Sequence, residues 1–104
     1  MNMQIQTIMI ADAVCSDLAM RQSADIFFDV VERNRSMIVV VDFRGVKSIS
    51  RSFAHEYLLR KGVSAIRITE KNVPRNVKEM FAVVRAPARR ERMIHQHVVQ
   101  PIEI

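Results

Sequence analysis

The stretch Met37-Ile-Val-Val-Val-Asp-Phe43 constrains this chain most. It is apolar without alternation and rich in β-branched residues, which lose χ1 freedom in a helix and pack well on a pleated surface. A run of this kind reads as a strand covered on both faces, as at the centre of a parallel sheet, so helices are expected above and below it. Parallel neighbours need crossover connections, and the rest of the chain supplies helix-like and strand-like segments in alternation.

Met3 to Met9 alternates polar and apolar residues and suggests a half-buried first strand. Residues 10–16 fit a helical turn or a loop equally well. Met20, Ala24, Phe27, Phe28 and Val31 then share one helical face, with Arg21, Asp25, Asp29 and Glu32 on the opposite one. Phe53, Ala54, Tyr57 and Leu58 form a second stripe that reaches about Lys61, with Gly62 suited to end the helix in a left-handed C′ conformation. Ser64 to Thr69 reads as a third strand. Asn72 and Pro74 open a third helix, striped by Val77, Met80, Phe81 and Val84 and stopped by Pro87. A last edge strand falls within 93–104, at His97–Val99 or Ile102–Ile104. The expected fold is therefore α/β: one domain over 1–104, with a mainly parallel or mixed sheet of about four strands and alternating helices. Its core would draw on Phe28, Val31, Ile38, Val40, Phe53, Leu58, Ile66, Ile68, Phe81 and Val84, with Met20, Met37 and Met80 on core faces.

Composition narrows the chemistry. The longest apolar run, Met37 to Val41, is far short of the roughly 20 residues that cross a membrane as a helix, so no membrane role is expected. Gly45 and Gly62 are the only glycines, too few for a phosphate-cradling loop, and Cys15 is the only cysteine, which excludes an internal disulfide or a cysteine-built zinc site. No cofactor is expected. The N-terminus has no basic, signal-like leader, and a cytoplasmic location is expected. The net charge of +5 is lopsided: residues 1–52 carry six basic and six acidic side chains, and residues 53–104 carry ten basic and five acidic. The excess is densest around Arg85, Arg89, Arg90 and Arg92, a pattern that favours anionic partners.

The most informative segment runs from Val41 to Ala54, from the end of the apolar strand through Gly45 and three serines into a helix start. Partners and ligands of α/β sheets gather at strand carboxyl ends beside helix N-termini. A serine there serves as an N-cap, and it is also a place where a helix dipole tolerates phosphate; both readings stand. His95 and His97 could share one face of a strand as metal ligands, but no third ligand is nearby and no metal is expected. Ser52, His55 and Asp42 could be drawn as a triad, yet nothing supplies an oxyanion hole, and no enzymatic activity is expected.

Val41-Asp42-Phe43-Arg44-Gly45-Val46 followed by Ser50-Arg51-Ser52-Phe53-Ala54, with Glu56 and Leu58, resembles the STAS domain (sulfate transporter and anti-sigma factor antagonist) in its STAS-like branch. The resemblance spans about residues 15–85, with its specific motif at 41–58. It implies a non-enzymatic regulatory module that binds a protein partner, an ATP-binding kinase or anti-sigma-like protein, through the 44–53 loop. The residues implicated are Arg44, Ser48, Ser50, Arg51, Ser52 and Phe53. In anti-sigma factor antagonists an Asp-Ser-Ser-Gly pattern carries the phosphorylated serine, which falls here on Ser52. Ser50 stands at the Asp of that pattern and Phe53 at its Gly. A homodimer is compatible with this reading. The alternative is a small basic nucleic-acid-binding domain that uses Arg89, Arg90 and Arg92, although aromatic interleaving for base stacking is absent.

Overall fold

The computed structural model describes residues 4–33 and 38–85. The expected helix stop at Pro87, the edge strand in 93–104, Met37, Arg89, Arg90, Arg92, His95 and His97 lie outside the described residues. The order of elements is β1 (Ile5–Met9), α1 (Ile10–Ala13), β2 (Asp17–Leu18), α2 (Arg21–Arg33), β3 (Ile38–Asp42), β4 (Ser48–Ile49), α3 (Arg51–Val63), β5 (Arg67–Lys71) and α4 (Arg75–Arg85). This is an α/β fold whose described strands all pair in parallel.

The apolar run lies at the centre, as expected: the three-stranded sheet has the order β1-β3-β5. Val39 is in register with Gln6 and Ile68, and Val41 with Ile8 and Glu70. These residues share one face, and α2, α3 and α4 cover it, so Val39, Val41 and Ile68 join the same core as Phe28, Phe53, Phe81 and Val84. The other face corrects the expectation of helices on both sides. There Ile5, Thr7, Arg67 and Thr69 are exposed, and Ile38 and Val40 are only half-buried. A strand flanked on both sides loses much of its exposure to its neighbours' side chains, so an unbroken apolar run does not require a second covering layer.

Among the described residues the strands divide between two sheets: a two-residue parallel ribbon, β2–β4, stands beside the three-stranded sheet, with Asp17 opposite Ser48 and Leu18 opposite Ile49. The helix that starts near Ser52 runs further than expected. Gly62 lies inside α3, which ends at Val63 with the extended Ser64 as C-cap, and only Gly45 among the glycines has a positive φ. Met20 is 60% exposed because it precedes the first residue of α2, where helical spacing does not yet apply.

The core is organised around Tyr57 of α3. Its ring meets Phe28 of α2, Phe43 after β3, and Phe81 of α4 at centroid distances of 5.1, 5.8 and 5.4 Å, and Phe53 stacks on it one turn back. Each such pair contributes about 0.5–1.5 kcal/mol beyond the area it buries. The phenol is fully buried and donates to Glu70 Oε2 at 2.8 Å, and Lys61 Nζ holds the other carboxylate oxygen at 2.8 Å. Burial, with the adjacent Glu70 charge, pushes the phenol well above its usual range, so it stays a donor. On the opposite flank of α3, Arg60 reaches Asp25, Asp29 and Glu32 of α2 at 2.9, 3.0 and 3.4 Å. These ties fix α3, and with it the loop that precedes it.

Candidate functional site

The loop from Phe43 to Ser50 is built outward from Asp42, at the carboxyl end of the central strand. Asp42 is 5% exposed. Its Oδ1 accepts from the Arg44 N–H at 2.9 Å and from Asn72 Nδ2 at 3.1 Å, and these bonds hold the carboxyl below the usual carboxylate range. Asn72 reaches across from the end of β5 with φ of 54°, a conformation that asparagine tolerates better than most residues. The chain then turns at Gly45, φ 88°, with the Val46 N–H donating to the Phe43 carbonyl at 3.1 Å. Arg44 points to solvent while Val46 returns to the core.

From Lys47 onward the loop is fastened to the segment before α2. The Lys47 N–H donates to the Ser16 carbonyl and the Ser50 N–H to the Leu18 carbonyl, each at 2.8 Å. Ser48 Oγ donates to Asp17 Oδ1 at 2.7 Å. Ser50 Oγ donates to the Ala19 carbonyl at 2.6 Å and accepts the Phe53 N–H at 3.0 Å, which makes Ser50 the N-cap of α3.

The residues singled out in the sequence therefore separate. Arg44 and Arg51 are exposed and make no ion pair among the described residues. Ser48 and Ser50 reach the site but are engaged in holding the loop. Ser52 does not cap α3. It sits exposed in the first turn, and no described residue hydrogen-bonds its hydroxyl. Phe53 is the correction. Placed in the sequence among the partner-facing residues, it is fully buried, because the second position after Arg51 in this helix turns toward Tyr57 and the core.

The triad drawn from Ser52, His55 and Asp42 is not assembled. The Asp42 carboxylate is occupied by Arg44 and Asn72, and His55 is exposed on α3. Among the described residues no group of His, Cys, Asp and Glu side chains could hold a metal, and no helix is long and apolar enough to cross a membrane. Asp17 and Ala19 went unread in the sequence, and Asn72 was read only as a helix start. Asn72 carried a usable signal, a short amide followed by Val-Pro at the end of a strand.

Comparison with protein-family models, with curated proteins and with solved structures gives no match.

Proposed function

We propose that this chain is a non-enzymatic protein-interaction module switched by phosphate on Ser52, acting on an ATP-binding kinase or anti-sigma-like protein as the STAS-like motif implies. One observation carries the proposal: the Ser52 hydroxyl is exposed and unoccupied, while its neighbour Ser50 does the capping and Ser48 ties the ribbon. A phosphate on Ser52 would add about −1.5 to −2 charges without dismantling the helix start. The α3 N-terminus tolerates that charge, and the exposed Arg51 and Arg44 flank the segment. A partner surface matched to a neutral hydroxyl would instead have to desolvate the phosphate, and the complex would open.

The test uses the full chain purified from its own cells. Mass spectrometry should find phosphate on Ser52 and not on Ser48 or Ser50. Capture experiments should recover an ATP-binding protein with the parent chain and with Ser52→Ala, and lose it with Ser52→Asp. Equal capture by the two variants would remove Ser52 as the switch.

A further inference from the structure

The two edges of the three-stranded sheet are built differently. β5, Arg67-Ile-Thr-Glu-Lys71, carries three charged residues, the usual protection against pairing with another chain. β1, Ile5-Gln-Thr-Ile-Met9, carries no charge, no proline and no bulge. The Ile38 N–H donates to the Gln4 carbonyl, so the parallel ladder uses the backbone groups of Gln4, Gln6 and Ile8. Those of Ile5 and Thr7 therefore point away from β3, and no described strand meets them.

Beside this edge lies an apolar groove of about 140 Å³ between β1, the end of α1 and α2, lined by Ile8, Val14, Ile26, Phe27 and Val30. Its outer rim stays in water, with Ile26 62% and Val30 46% exposed, and on the other, uncovered face of the same strand Ile5 is 64% exposed. An open strand edge asks for an extended backbone, and the rim asks for apolar cover.

We infer that this edge is the interface between two copies of this chain, with β1 pairing antiparallel to its own image about Thr7. The occupant follows from charge. A partner of opposite sign would be met by charged residues, whereas neither β1 nor the lining of the groove carries any, so the patch meets its image without like-charge contact. Symmetry supports the same choice. The two-fold about Thr7 sets Ile5 opposite Met9 of the second copy and continues the sheet across the contact. It also leaves both α2 helices on one side of that sheet, with Ile26 and Val30 of each turned toward the other. This surface is separate from Ser52 and does not depend on the reading of that residue.

Analytical ultracentrifugation of the full chain over a rising concentration series tests the inference. A reversible dimer is expected. Added salt should tighten it, because two chains of net charge +5 repel at long range. Protection of the Ile5 and Thr7 amides from hydrogen exchange should rise with concentration. Thr7→Pro removes an outward donor and leaves the β1–β3 ladder intact, so it should give a monomer with an unchanged fold. Ile26→Asp should do the same, and mixing it with Ile26→Lys should restore a dimer, which a merely misfolded variant could not do. A chain that stays monomeric throughout, edge amides protected at every dilution, or a dimer indifferent to Thr7→Pro and Ile26→Asp would each overturn it.

Discussion

Ser50→Ala and Ser52→Ala should have very different effects on stability, although the two serines are two residues apart in one loop. Ser50 Oγ makes two bonds, accepting the Phe53 N–H at 3.0 Å and donating to the Ala19 carbonyl at 2.6 Å. Loss of an N-cap serine costs about 1 kcal/mol, within a range of 0.5–2. Loss of the second bond costs roughly another 1 kcal/mol, and it also loosens the tie between α3 and the segment before α2. Ser50→Ala should therefore destabilise by about 2 kcal/mol. For a domain of this size that lowers the melting temperature by about 8–16 °C. Ser50→Thr keeps the hydroxyl and should recover most of the loss. Ser52→Ala removes an exposed hydroxyl with no partner among the described residues and should stay within about 0.5 kcal/mol of the parent. Urea unfolding followed by circular dichroism measures all three on one scale. If Ser52→Ala cost as much as Ser50→Ala, Ser52 would be a structural residue and its availability for phosphate would be lost.

Four further outcomes are expected. Gly45→Ala should cost about 1–2 kcal/mol in urea unfolding from backbone strain at φ 88°, not from a clash, since an added Cβ would stand 3.5 Å from Ala11 Cβ; Gly45→Asn should cost less. Tyr57→Phe should cost about 1.5–3 kcal/mol, the value of a hydrogen bond to a charged acceptor, because Glu70 loses a buried donor while Lys61 stays. Glu56 sits above the usual carboxyl range through its hydrogen bond to Asp25 and its burial, so its contribution is present at low pH and lost as pH rises through the raised value; Asp25, held low by the same bond and by Arg60, acts in the opposite direction, and Glu56→Gln should flatten the rising-pH loss measured by thermal melts. Binding to duplex DNA should be weak and nonspecific, with no more than a shallow salt dependence in fluorescence anisotropy; a steep slope abolished by changing Arg89, Arg90 and Arg92 to Ala would instead support a nucleic-acid partner.

The helices were legible where spacing alone determines the buried face. Phe27, Phe28 and Val31 in α2, and Val77, Phe81 and Val84 in α4, fall on one side of an ordinary helix, and all are buried. The same rule failed for Met20, because the helix had not begun there. A different rule, glycine's preference for the left-handed C′ position, failed for Gly62, because α3 continues through it to an extended cap. The centre of the sheet was legible from Ile38 to Asp42, but its open face was not. Burial between neighbouring strands and burial under a helix leave the same mark in a sequence, and the exposed Ile5, Thr7, Arg67 and Thr69 across the register distinguish them. The β2–β4 ribbon was illegible for another reason: two-residue strands have no period, and Asp17 meets Ser48 only through the fold.

The candidate site depends on that same ribbon. In the sequence Ser48, Ser50 and Ser52 are three alternating serines before a helix, and any one of them could cap it or carry a phosphate. They are told apart by residues some thirty positions upstream, Asp17 taking the hydroxyl of Ser48 and Ala19 that of Ser50. Helical phase does the rest, since from Arg51 onward it turns Phe53 inward and leaves Ser52 outward. The sequence thus locates the loop, while the proposal of Ser52 comes by subtraction, once the other two hydroxyls have been given their bonds. A serine bound into the ribbon could not be modified without losing the bond that fastens the loop to the segment before α2. Only a hydroxyl outside that network can accept a charge and change the surface of the protein while its fold persists.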